Sequence, residues 1–95
     1  MVPKTKRWDA AEHLDSPEAI AAYIDAAMED GDPALVSAVL GDVARAIGMT
    51  QIAKDTGMSR ESLYRALSEG GTPEFSTIAK VMKALGLRLS AVPAE

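Results

Sequence analysis

The chain contains no cysteine and one histidine, His13. The first absence removes disulfides, thiolate metal sites and cysteine nucleophiles together. The second leaves zinc chemistry and imidazole-based catalysis almost no material, and no serine has a histidine at a plausible partner position. Neither an enzyme nor a resident metal or cofactor is expected. Aromatic residues are scarce as well: Trp8, Tyr23, Tyr64 and Phe75 are all there are. The core must therefore be built from Ala, Leu, Ile, Val and Met, a palette that suits helices in close contact better than a sandwich of aromatic and β-branched strands. No apolar run approaches the ~18 residues of a membrane span. None follows the basic residues at the N-terminus, so no secretory signal is read there. The expected location is cytoplasmic, with no membrane partner.

What is present is the material of one globular domain. Ninety-five residues with 47% hydrophobic and 25% charged composition are enough for a single compact core and too few for two. The net charge is −4, but it is unevenly spread. Lys4, Lys6 and Arg7 open the chain without an acid among them. Residues 8–48 then hold nine acids against Arg45 alone, while residues 49–92 hold six bases against four acids. Two surfaces of opposite character suggest two different partners.

Helix punctuation is clear along most of the chain. Residues 1–15 carry no long period and read as an irregular arm, with Trp8 and Leu14 as anchors. Ser16, Pro17 and Glu18 then form a helix start. Ile20, Tyr23, Ile24, Ala27 and Met28 follow an i, i+3, i+4, i+7, i+8 stripe that stops at Gly31. Asp32 and Pro33 start a second helix, striped by Leu35, Val36, Val39, Leu40, Val43 and Ile47 and ended by Gly48. Thr50 is the expected cap of a short third helix from Gln51 to about Thr56, closed by Gly57. Ser59 caps a fourth, from Arg60 to about Leu67. Phe75, Ile78, Val81, Met82 and Leu85 mark a fifth, with Thr72, Glu74 and Ser76 all open as its cap. The alternating "LRLSAV" that follows either forms one short strand over 87–92, which needs a partner from elsewhere, or only packs Leu87 and Leu89 over the core.

The stretch "TQIAKDTGMSRESLYRALSEG" holds two short helices joined by a three- to four-residue turn with a glycine, the description of a helix-turn-helix. Ala53 is small where the helices cross, and Gly57 is free to turn the chain sharply. Leu63 and Leu67 point inward with Ala66 beside them. Arg60, Glu61, Ser62, Tyr64 and Arg65 are left outward, a polar, hydrogen-bond-rich face suited to a major groove.

That stretch, between helices ending "ARAIG" and "KVMKALG", resembles the Xre/Cro-type helix-turn-helix domains. With "DSPEAIAAYIDAAMEDGDPALVSAVLGDVARAIG" before it, residues 8 to 92 look like the antidote proteins of HigA-like type II toxin–antitoxin modules. The fold expected from the likeness is all-α: an arm (1–15) and one helical domain (16–95). That domain comprises an extra N-terminal helix (16–31), a helix-turn-helix core (32–86) and the short strand (87–92). The resemblance implies a homodimer that binds double-stranded operator DNA and represses its own operon. It also implies a small basic toxin of RelE/ParE fold, neutralised by direct binding. Transferred residue by residue, Gln51 holds a phosphate, and Arg60 and Glu61 read bases with Ser59, Ser62, Tyr64 and Arg65 alongside. The following loop, with Gly71 and Thr72, lies over the backbone. The toxin surface is placed on Trp8, Ile20, Tyr23 and Ile24. The chain departs from larger regulators of this type in its additional first helix and in ending with "LRLSAV" where many have a further helix.

Plainer readings stand beside these. Glu61 either accepts from cytosine N4 or pairs with Arg65 at i,i+4. Tyr64 either touches phosphate or covers the motif's edge as a half-buried ring. Met28, Met58 and Met82 read as core fillers, and the acidic face over 18–42 as solubility unless a basic partner uses it. The alternative function is a stand-alone Xre-type repressor without a toxin.

Overall fold

The computed structural model describes Leu14, residues 16–68 and residues 70–94. Among them are five helices: α1 (Pro17–Asp30), α2 (Pro33–Ile47), α3 (Met49–Thr56), α4 (Arg60–Ala66) and α5 (Phe75–Ala84). The punctuation acts as the residue types require. Ser16 Oγ accepts from the Ala19 amide at 3.1 Å, and Asp32 Oδ1 accepts from the Ala34 amide at 3.0 Å. A proline opens each of these two helices, where its missing N–H is no loss. Of the arm, Leu14 packs half-buried against the core; Trp8 and His13 lie outside the described residues.

α1 packs on α2, and α3 packs against α2, α4 and α5. The chain turns by 110° between α2 and α3, which drives the short α3 into the centre of the domain. Leu40, Val43, Ala44, Leu63, Leu67 and Val81 have 0% exposure. They form one cluster with Ile20 and Ile24 of α1 and Ile52 of α3. Burying a chain of small and branched aliphatics in this way is what compensates for the shortage of aromatics. No single described helix is long and apolar enough to cross a membrane.

Three expectations are corrected. α3 begins at Met49 and not at Gln51, its cap position is Gly48, and no side chain caps it. Met49 is buried, so packing draws the first turn forward past Thr50. The strand expected over 87–92 is not formed. The Leu87 amide donates to Met82 O at 2.9 Å, Leu87 and Leu89 pack half-buried on the core, and no other described strand offers a ladder. The α5 stripe is half-buried at Ile78 and buried only from Val81 onward; Phe75 is 72% exposed. The methionines also divide: Met82 is core, Met58 half-buried, and Met28 sits at the rim.

Candidate nucleic-acid interface

α3 and α4 are joined by Gly57, Met58 and Ser59. Gly57 has φ 74°, and its amide together with that of Met58 closes the end of α3 on Ala53 and Lys54 carbonyls. Only a residue without Cβ takes that left-handed conformation freely. Ser59 then restarts the helix: its Oγ accepts from the Ser62 amide at 3.0 Å and donates to Ser62 Oγ at 2.9 Å. Leu63 and Leu67 anchor α4 in the core. Arg60, Glu61, Ser62, Tyr64 and Arg65 are all exposed, the face expected from the sequence.

The exposed side chains are already paired among themselves. Arg65 donates to Glu61 Oε1 at 3.0 Å, with both side chains largely in water. Arg60 lies over the Tyr64 ring, 5.9 Å from its centroid. The i,i+4 reading of Glu61 is therefore realised in the free chain, whereas Tyr64, 40% exposed, is more open than a half-buried ring at the motif's edge. The exposed ion pair is worth only about 0.3–0.5 kcal/mol and an exposed cation–π contact about 0.5–1 kcal/mol, so both arginines can leave their partners for a stronger anion.

Gln51 is the third residue of α3, not the first. Its amide nitrogen donates to Asp55 Oδ1 at 2.8 Å. No side chain caps the first turn of α3 beside it, so the backbone N–H groups there lack an intrahelical or capping partner. Thr72 is exposed in the loop after α4. A notch of about 440 Å³ runs between that loop and α4, lined by Ser62, Arg65, Ser68, Thr72, Glu74 and Thr77. Hydroxyls, one guanidinium and the Glu74 carboxylate, with Ala66 and Pro73 between them, make it a mixed hydrogen-bonding recess. Gln51, Arg60, Arg65 and Thr72 thus sit on or beside the α3–α4 unit.

The residues expected to meet a toxin are placed otherwise. Ile20 and Ile24 are buried at 7% and 2% exposure, spent on joining α1 to α2. Tyr23 is half-buried and donates to Asp42 Oδ2 at 3.4 Å, and Asp42 also accepts from Arg45 at 2.9 Å. What α1 shows to solvent is Pro17, Ala22, Ala26 and Met28 together with four acids, Glu18, Asp25, Glu29 and Asp30, and no base. Two residues that matter for α4 went unmarked in the sequence. Ser37 is 1% exposed, and its hydroxyl is 3.2 Å from both Ala66 O and Ser68 O. Gly41 lies against Leu67 O. Their signal was a pair of small residues at i and i+4 beside the apolar stripe of α2.

A domain of this make-up, with a polar helix face presented by an all-helical core and an acidic first helix, has the features of a small binding protein. Residues 4–93 match the family described as "Probable addiction module antidote protein", and the chain belongs to that family. It is 49% identical over 88 residues to a protein of Haemophilus influenzae described as "Uncharacterized protein", an alignment covering 93% of this chain and 91% of the other. No solved structure matches the chain.

Proposed function

We propose that this chain is the antitoxin of a HigA-like type II toxin–antitoxin module. In this reading it neutralises a small basic toxin of RelE/ParE fold by direct binding, and as a homodimer it represses its own operon. It is a binding protein and not an enzyme. The family supports the antidote role. One observation carries the DNA-binding part: a seven-residue helix whose apolar side is locked in the core presents five polar residues behind a sharp glycine turn. It supports reading the pair as an Xre/Cro-type arrangement, which would set α4 in the major groove and the uncapped start of α3 against a phosphate. Seven helical residues span only about 10 Å, a few base pairs, so useful specificity needs two copies on half-sites one helical turn apart. The C-terminal segment, with Val92 82% exposed, is the surface we assign to that pairing.

The test is DNA binding by fluorescence anisotropy on a duplex from upstream of the gene, at several salt concentrations, with sedimentation to count subunits. Arg65→Ala or Arg60→Ala should cost about 1–3 kcal/mol and relax preference at one base pair if the side chain holds a guanine. An even loss on every sequence, with a salt slope lower by about one, assigns a phosphate contact instead. Unchanged affinity for both folded variants would show that α4 does not enter the groove. Co-expression with the neighbouring reading frame tests the antitoxin role.

A further inference from the structure

The C-terminal end of α4 is held by α2, a helix 29 to 31 residues away in sequence. The Ser37 hydroxyl is shared between Ala66 O and Ser68 O at 3.2 Å each. Ser68 O also accepts from the Gly71 amide at 2.9 Å, and Ser68 Oγ donates to Arg65 O at 3.0 Å. One buried hydroxyl therefore secures the point where α4 passes into the following loop. Arg65 lies just before it and the Thr72 loop just after it. Other restraints on α4 are the Ser59 cap at its start, the side chains of Leu63 and Leu67, and the close approach of Gly41 and Gly71 to its last carbonyls, none of which is a side-chain hydrogen bond from another helix. Neither Leu fixes how the last carbonyls tilt, because apolar packing is not directional. Ser37 supplies the directional restraint.

We propose that Ser37 is a positioning residue for sequence discrimination, acting through the backbone of Ala66 and Ser68 on the placement of Arg65 and Thr72. The inference rests on the assignment of α4 as the DNA-reading helix. A bidentate base contact tolerates little misplacement, whereas a phosphate is satisfied by a charge anywhere nearby. Loosening the end of α4 should thus blunt selectivity while leaving sequence-independent affinity intact, an effect that lower stability alone does not produce.

The experiment starts by letting the wild-type chain select from a pool of randomised duplexes of about 20 base pairs, the length of two half-sites. Wild type, Ser37→Ala, Ser37→Cys and Arg65→Ala are then compared by anisotropy on the selected duplex, on its single-base variants and on the unselected pool. All are assayed at a temperature where circular dichroism shows them folded. Ser37→Ala should lower the ratio of selected to unselected affinity by about two- to tenfold, the equivalent of one net hydrogen bond. Its affinity for the unselected pool should hold. Ser37→Cys, which keeps a weak donor in place, should fall between the two; it carries the comparison if the alanine variant does not fold. A folded Ser37→Ala with the wild-type ratio, or with an even loss on every duplex, overturns the proposal. If Arg65→Ala blunts selection and Ser37→Ala does not, the DNA reading stands and the role of Ser37 alone falls. A wild-type chain that selects nothing overturns both.

Discussion

A methyl group at Gly41 would meet the backbone oxygen of Leu67 and, at 3.2 and 3.3 Å, the guanidinium nitrogens of Arg45. Two effects of Gly41→Ala therefore oppose each other. In mid-helix, alanine is favoured over glycine by about 1 kcal/mol, whereas overpacking a tight contact costs typically about 1–3 kcal/mol. The arginine can swing away, but a carbonyl oxygen at the end of α4 cannot move without the helix. The clash should win, with a net loss of about 0.5–2 kcal/mol read from urea denaturation. A midpoint at or above wild type would mean that α4 slides freely on α2. At Glu61 the contest is between two jobs for one carboxylate. Since it is engaged with Arg65 in the free chain, Glu61→Gln should leave stability within about 0.5 kcal/mol. If α4 meets DNA as proposed, removing a negative charge from its exposed side should tighten binding to every duplex alike. Loss of preference at a single position in competition anisotropy would instead assign Glu61 to a cytosine.

At the scale of elements, the turn between α3 and α4 is the feature most directly encoded. Gly57 was marked by the sequence and sits at φ 74°. A β-branched residue there is forced into the left-handed region, so Gly57→Val should destabilise by about 1–2 kcal/mol. In a domain of this size, that lowers the thermal midpoint by roughly 4–16 °C. A midpoint within a degree of wild type would show that the turn has another conformation of equal energy. The same local signals placed Ser16, Asp32 and Ser59 correctly as caps, because capping is a matter of neighbours in sequence. Non-local packing was not legible in the same way. The start of α3 depended on burying Met49, and the fate of "LRLSAV" on a ladder partner the described chain does not have. An apolar stripe shows that a face will be covered, but not by what. Ile20 and Ile24 looked available to a partner and are consumed by α2, while Phe75 looked internal and is exposed. Ser37 escaped notice because a hydroxyl beside an apolar stripe says nothing of acceptors 29 residues on.

For the whole molecule, the placement of α1 changes how a toxin contact can be tested. Removing residues 1–30 would take Ile20, Ile24 and Ala27 out of the central cluster and leave the apolar face of α2 bare. Loss of neutralisation would then report unfolding as readily as a missing contact. A cleaner variant keeps the apolar side and alters only the exposed acids. Asp25→Lys with Glu29→Lys changes two solvated residues and, at +2 each, brings the net charge from −4 to zero. Surface substitutions of this kind usually shift stability within about 0.5 kcal/mol, so the domain should fold and its α4 face should be intact. If the acidic side of α1 recruits a basic toxin, the double variant should fail to co-purify with the co-expressed neighbour and should no longer rescue growth. Its DNA affinity at low salt should be equal to or higher than wild type, because less negative charge opposes the phosphates. Raising the salt separates steering from contact: the deficit in toxin binding should persist at about 0.5 M, where exposed charges beyond a few ångströms are screened, if Asp25 and Glu29 lie within the interface. Full rescue by the double variant would remove the acidic side of α1 from the toxin contact, while leaving the DNA-reading assignment of α4 untouched.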